Sequence, residues 1–122
     1  MFNALIIDDE MDICFLLGKM LKRKSVDSQY ANSLGDAAMV LSYSSPDIVF
    51  LDNHLSDGRG LDFVGYIKDH NPEAKIIMIS AYDNISDRKS AQKIGVDDFI
   101  GKPFSQDSIE TALATLDHHV HE

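Results

Sequence analysis

Cysteine is nearly absent: Cys14 stands alone among 122 residues, so no disulfide can form within the chain. A single thiol fits a reducing compartment. Neither a CxxC pair nor a Cys/His spacing offers zinc a site. Positive charge is scarce too. Eleven basic residues face 20 acidic ones, giving a net charge of −9. A surface that grips nucleic-acid phosphates needs a basic surplus, so direct nucleic-acid binding by this chain is not expected. The one basic run, Lys19, Lys22, Arg23 and Lys24, reads as the solvated end of a helix, where cations complement the dipole. No apolar stretch approaches the roughly 20 residues of a membrane span. The first residues also lack the basic segment and cleavage site of a secretion signal. The expectation is a cytoplasmic protein that does not engage a membrane. The three histidines of the terminal "DHHVHE" do not define a metal site.

What is present is an ordinary globular composition, 44% hydrophobic and 25% charged. The length suits one domain with a core of normal size, so residues 1–122 are read as a single unit without linker or repeat. Strand and helix signals alternate five times. "ALII" is a short apolar run of the kind buried on both faces of a parallel sheet. Ile13, Leu16, Leu17, Met20 and Leu21 then recur at helical spacing, with Cys14 and Met20 as core filler. "SVDSQYAN" is a more polar strand suited to an edge. Ser33 opens "SLGD", a helix cap, and that helix runs to about Tyr43. After Pro46, "DIVFLD" is a central strand ending in Asp52. "NHLSDGRG" reads as a polar loop. The third helix turns Leu61, Val64 and Ile67 inward and stops before Pro72. "KIIMIS" is a buried strand ending at Ser80. The fourth helix spans about Ile85 to Ile94, with Gly95 as its C-terminal cap. "DFIG" is the last strand. Ser105 caps a final helix that presents Ile109, Ala112, Leu113 and Leu116 on one face.

This alternation predicts an α/β fold, a doubly wound parallel sheet of five strands covered by five helices. Ligands of such sheets bind beyond the carboxyl ends of the strands. Asp8 and Asp9 end the first strand, Asp52 the third and Ser80 the fourth, while Lys102 follows the fifth. All five would share one edge. The consecutive carboxylates Asp8, Asp9 and Glu10 repel one another and call for a cation, either a divalent metal or Lys102. Taken singly, each acid is a solvated cap; their joint placement is the informative signal. An all-oxygen set suits Mg²⁺, which keeps waters and accepts phosphate oxygens as further ligands. A carboxylate facing Mg²⁺ and a lysine is equipped to receive a phosphoryl group.

"LIIDDE", "IVFLDNHL", "IIMISA" and "GVDDFIGKPF" resemble, in order and spacing, the motifs of the response-regulator receiver domain of two-component signalling. The resemblance covers essentially the whole chain. It implies a flavodoxin-like sheet of order 2-1-3-4-5. It implies that Asp52 accepts phosphate from a sensor histidine kinase or a histidine phosphotransfer protein. Asp9 would bind Mg²⁺ directly, Asp8 would complete the acidic pocket, and the main-chain carbonyl of His54 would be a further ligand beside Asp52. Ser80 would be the switch hydroxyl, Lys102 the phosphate-contacting lysine and Phe99 the switch aromatic. The bond before Pro103 would be cis. The face of the fourth helix, fifth strand and fifth helix would then change and control a downstream effector protein or domain. Ile85, Ile94, Phe99 and Ile109 lie in that region, some of them serving the core. No steady turnover of an external substrate is implied.

The chain departs from the family pattern at several positions. Ser56 stands where members usually carry proline, which implies a more mobile loop and weaker carbonyl binding of the metal. Phe99 replaces the commoner tyrosine and offers no hydroxyl. His54 and Tyr82 flank the acceptor; they are read as rim residues, with shielding of the acyl phosphate as a hypothesis. Two other functions compete. An aspartate-nucleophile phosphatase would need an acid two residues after Asp52, where His54 stands. A receiver-like interaction module that is never phosphorylated would not need the chemical groups that are present.

Overall fold

The computed structural model describes residues 2–120, with side chains to residue 116. The "DHHVHE" histidines therefore lie outside the described side chains. The elements, in order, are β1 (Asn3–Ile7), α1 (Met11–Lys22), β2 (Asp27–Ala31), α2 (Leu34–Tyr43) and β3 (Ile48–Asp52). There follow β4 (His54–Leu55), β5 (Gly58–Arg59), α3 (Gly60–His70) and β6 (Lys75–Ser80). The last are α4 (Ile85–Lys93), β7 (Asp98–Gly101) and α5 (Gln106–Val120).

Five strands form one parallel sheet of order β2-β1-β3-β6-β7. Counted without the small hairpin β4–β5, this is the expected order 2-1-3-4-5. The apolar runs are buried on both faces because their residues alternate between two cores. Ile6, Phe50 and Ile77 pack with Cys14, Leu17 and Leu21 of α1 and Ile109 and Leu113 of α5. Leu5, Leu51 and Met78 pack with Leu41 of α2, Val64 and Ile67 of α3, and Ala91 of α4. β2 is the polar edge strand expected, buried only at Ala31. Ser33 caps α2 by accepting from Asp36 N–H at 3.0 Å. Gly95, with φ of 95°, follows α4 in the left-handed region that glycine tolerates. Among the described residues, no helix is long and apolar enough to cross a membrane.

Two expectations change. "NHLSDGRG" is not all loop, because His54 pairs with Arg59 and Leu55 with Gly58 in an antiparallel hairpin. Strands of two residues carry no readable alternation. Leu16 is 44% exposed rather than inward. The buried face of α1 runs through Cys14, Leu17 and Leu21, which leaves position 16 on its flank.

Candidate phosphoacceptor site

The crossovers of the parallel sheet deliver the ends of β1, β3, β6 and β7 to one edge, and the acids, serine and lysine arrive there together. Asp8 is fully buried just beyond β1. Its Oδ1 accepts from Glu10 N–H at 2.9 Å, and its Oδ2 lies 2.7 Å from Lys102 Nζ. Lys102 also stands 3.6 Å from Glu10 and 3.7 Å from Asp52, with only 9% of its side chain exposed. A buried ammonium among three acids exchanges hydration for opposite charge. Burial opposes its charge, but Asp8 and Asp52 outweigh that and raise its pKa.

Asp52 ends β3 and is buried. Its carboxyl is pushed up to about 6, chiefly by burial and then by the charge of Asp8. Lys102 and the N–H of His54, which Asp52 Oδ1 accepts at 3.4 Å, pull the other way. The acceptor candidate is therefore largely ionised at neutral pH yet poorly solvated. Gly60 explains how α3 can start so close: a Cβ there would stand 2.3 Å from the Asp52 carbonyl oxygen.

Asp8, Asp9 and Glu10 place ligand atoms within 4.8 Å of one another. This is a hard, all-oxygen donor set, matched to a divalent cation such as Mg²⁺ rather than to a softer metal. Glu10 was not among the metal candidates; it joins because the turn into α1 brings its carboxylate back towards Lys102. The structure thus brings Asp8, Asp9, Asp52 and Lys102 together. It places Ser80, fully buried at the end of β6, on the same edge. Ser80 Oγ accepts from Tyr82 N–H at 3.0 Å, and Lys102 N–H donates to the Ser80 carbonyl at 2.8 Å. The Lys102–Pro103 peptide is cis.

The rim is aromatic. His54 and Tyr82 meet edge to face with ring centroids 4.4 Å apart. Phe99, on β7, is buried under Arg88 of α4, whose guanidinium lies 4.8 Å from the ring centre. Arg88 also pairs through two nitrogens with Asp83. Of the apolar residues expected on this face, Ile85 and Ile94 are exposed and Ile109 is core. Cys14 has no part in the chemistry: burial, then Asp8, pushes its thiol up to about 11, so it stays protonated.

Residues 4–114 match the family model described as the response regulator receiver domain. The chain is 37% identical over 113 residues to the response regulator protein PilR of Pseudomonas aeruginosa, which covers 93% of this chain and 25% of that protein. It is 36% identical over 120 residues to the nitrogen assimilation regulatory protein NtrX of Azorhizobium caulinodans, covering 93% and 26%. The chain thus spans about a quarter of these curated relatives. A two-component response regulator from Clostridium difficile superposes with a TM-score of 0.93 at 22% identity, over the whole of both chains, which speaks to fold. A response regulator from Burkholderia pseudomallei, solved with a phosphorylated aspartic acid, a calcium ion and citrate, superposes at 0.88 with 27% identity. That match covers 99% of this chain and 71% of the other.

Proposed function

The chain belongs to the response regulator receiver domain family of two-component signalling, and from that premise we propose that it is a phosphorylation-dependent switch with Asp52 as acceptor. The observation that carries this is the contact set of Lys102, which joins the buried Asp8 and Asp52 and the exposed Glu10 in one cluster. On this reading residues 1–122 form one phosphoacceptor domain, working in the cytoplasm.

The donor is a phosphohistidine on a sensor kinase or a histidine phosphotransfer protein. An Asp52 carboxylate oxygen forms the new bond to phosphorus as the phosphorus–nitrogen bond breaks. The electron pair leaves with the imidazole, which takes up a proton. Lys102 holds a phosphoryl oxygen and stabilises charge where it develops. Asp9, Asp8, Asp52 and the His54 carbonyl would hold Mg²⁺, with Glu10 close by. When bound, that cation supplies charge neutralisation for the transferred group. Ser80 exchanges its Tyr82 contact for a phosphoryl oxygen. Phe99 and the α4–β7–α5 face follow as a population shift that controls an effector protein or domain. A phosphoryl group brings nearly two charges to that equilibrium. The chain catalyses its own phosphorylation and dephosphorylation and turns over no separate substrate. His54 and Tyr82 meet at the rim, where their bulk would shield the acyl phosphate and slow its loss.

Incubation with Mg²⁺ and a small acyl-phosphate donor, read by intact mass, tests this. One phosphoryl adduct is expected, absent in Asp52→Asn and in chelator. No adduct would leave an interaction module, and steady hydrolysis of a phosphoester would favour a phosphatase.

A further inference from the structure

The hairpin after Asp52 has only two paired positions, His54 with Arg59 and Leu55 with Gly58. So short a ladder is not stable by itself in water. Its placement depends on what holds its ends. Asn53 holds the base: its carbonyl accepts from Gly60 N–H and its side-chain oxygen from Leu61 N–H, both at 3.0 Å. Asp57 holds the tip. One carboxylate oxygen accepts from Leu34 N–H at 2.9 Å and the other from Gly35 N–H at 3.0 Å.

These donors open α2, where the first N–H groups have no partner inside the helix and the dipole favours negative charge. The two bonds hold the Asp57 carboxyl below the usual carboxylate range. Shape adds to charge. Gly58 has φ of 153°, and a Cβ there would stand 3.0 Å from Leu34 Cδ1. The anchor is itself fixed, because Ala37 and Leu41 of α2 are buried in the same core as Leu51, next to Asp52. Ser56, in place of the family's usual proline, leaves the hairpin without a locked φ of its own.

We propose that Asp57 is a positioning residue: by docking on the first turn of α2 it fixes the hairpin that carries His54, and so sets how tightly a divalent cation is held beside Asp52. This role rests on the receiver reading given above. It makes α2 part of the support of the site, acting through a carboxylate that touches neither cation nor phosphate.

The test is a Mg²⁺ titration of the metal-free full chain by calorimetry, paired with amide exchange at residues 54–58. Asp57→Ala is expected to weaken Mg²⁺ binding about tenfold, the lower end of what outer-shell support residues give, and to speed exchange in the hairpin. Asp57→Asn keeps one acceptor oxygen and should fall between. Asp36→Asn removes a charge from the same helical turn without touching the hairpin, and should change neither readout. Unchanged Mg²⁺ affinity and exchange in Asp57→Ala would overturn the role. So would an equal loss in Asp36→Asn, which would assign the effect to charge alone. A wild-type chain that binds no Mg²⁺, or binds it equally well as Asp9→Asn, would instead sink the receiver chemistry, and this role with it.

Discussion

Helices α1 and α4 lie in the two different cores and are held very differently. α1 buries Cys14, Leu17 and Leu21, whereas α4 buries Ala91 alone. Ile85, the first residue of α4, is 72% exposed, and Ile94, just past its end, is 42% exposed. Much of the hold on α4 is polar: Arg88 with Asp83, and Arg59 with Asp87 at 3.6 Å. A solvent-facing pair such as Arg88–Asp83 contributes little and weakens with salt. The acidic turn leads into α1, while the segment after Ser80 leads into α4. Groups that must keep fixed spacing thus adjoin α1, the firmly packed helix. The segment that would respond to phosphate adjoins α4, the sparsely buried helix.

The sharpest way to break this contrast is to remove one apolar side chain from each helix. Leu17→Ala should cost about 2–5 kcal/mol of global stability, read from the urea midpoint. Ala91→Gly should cost about 1 kcal/mol. Equal losses would mean that α4 is anchored as firmly as α1.

The next effect comes from Asp52, between the two layers. Its folded pKa of about 6 lies above the ordinary value of 3.8. Between those values the folded chain keeps a proton that the unfolded chain has lost. Stability of the metal-free protein should therefore fall as pH rises from about 4 to about 6, by up to about 3 kcal/mol, and then level off. Asp52→Asn should abolish that slope. Amides of α1, which exchange through global unfolding, should register the slope, and those of α4, opening locally, should not. A slope of equal size in both helices would merge the two layers into one cooperative unit.

The smallest effect concerns Arg88. Arg88→Ala removes both the Asp83 pair and the cover over Phe99. It should speed amide exchange a few-fold in α4 and leave α1 unchanged. High salt should narrow the difference between variant and wild type.

Much of this was legible in the residues. Continuous apolar runs gave the strands, 3.6-residue spacing gave the helices, and Ser33 and Gly95 mark their ends where expected. The acids at the ends of "ALIIDDE" and "DIVFLD" pointed to the working edge. What escaped lies across distance. The acidic run calls for a cation, but that Lys102 stands 3.6 Å from Glu10 is visible only in the fold. Asp57 was one polar residue in a loop until α2 stood beside it. The hairpin has too few residues to show a pattern.

The sequence by itself determined the five helices, the five strands of the main sheet and which polar groups crowd the strand ends, because periodicity and chain direction are local properties. Only the tertiary structure decided that Asp8 and Lys102, 94 positions apart, meet at 2.7 Å, that Arg88 covers Phe99, and that Asp57 closes the start of α2. Those contacts follow from strand order and crossover packing, which place side chains by distance in space and not by separation along the chain.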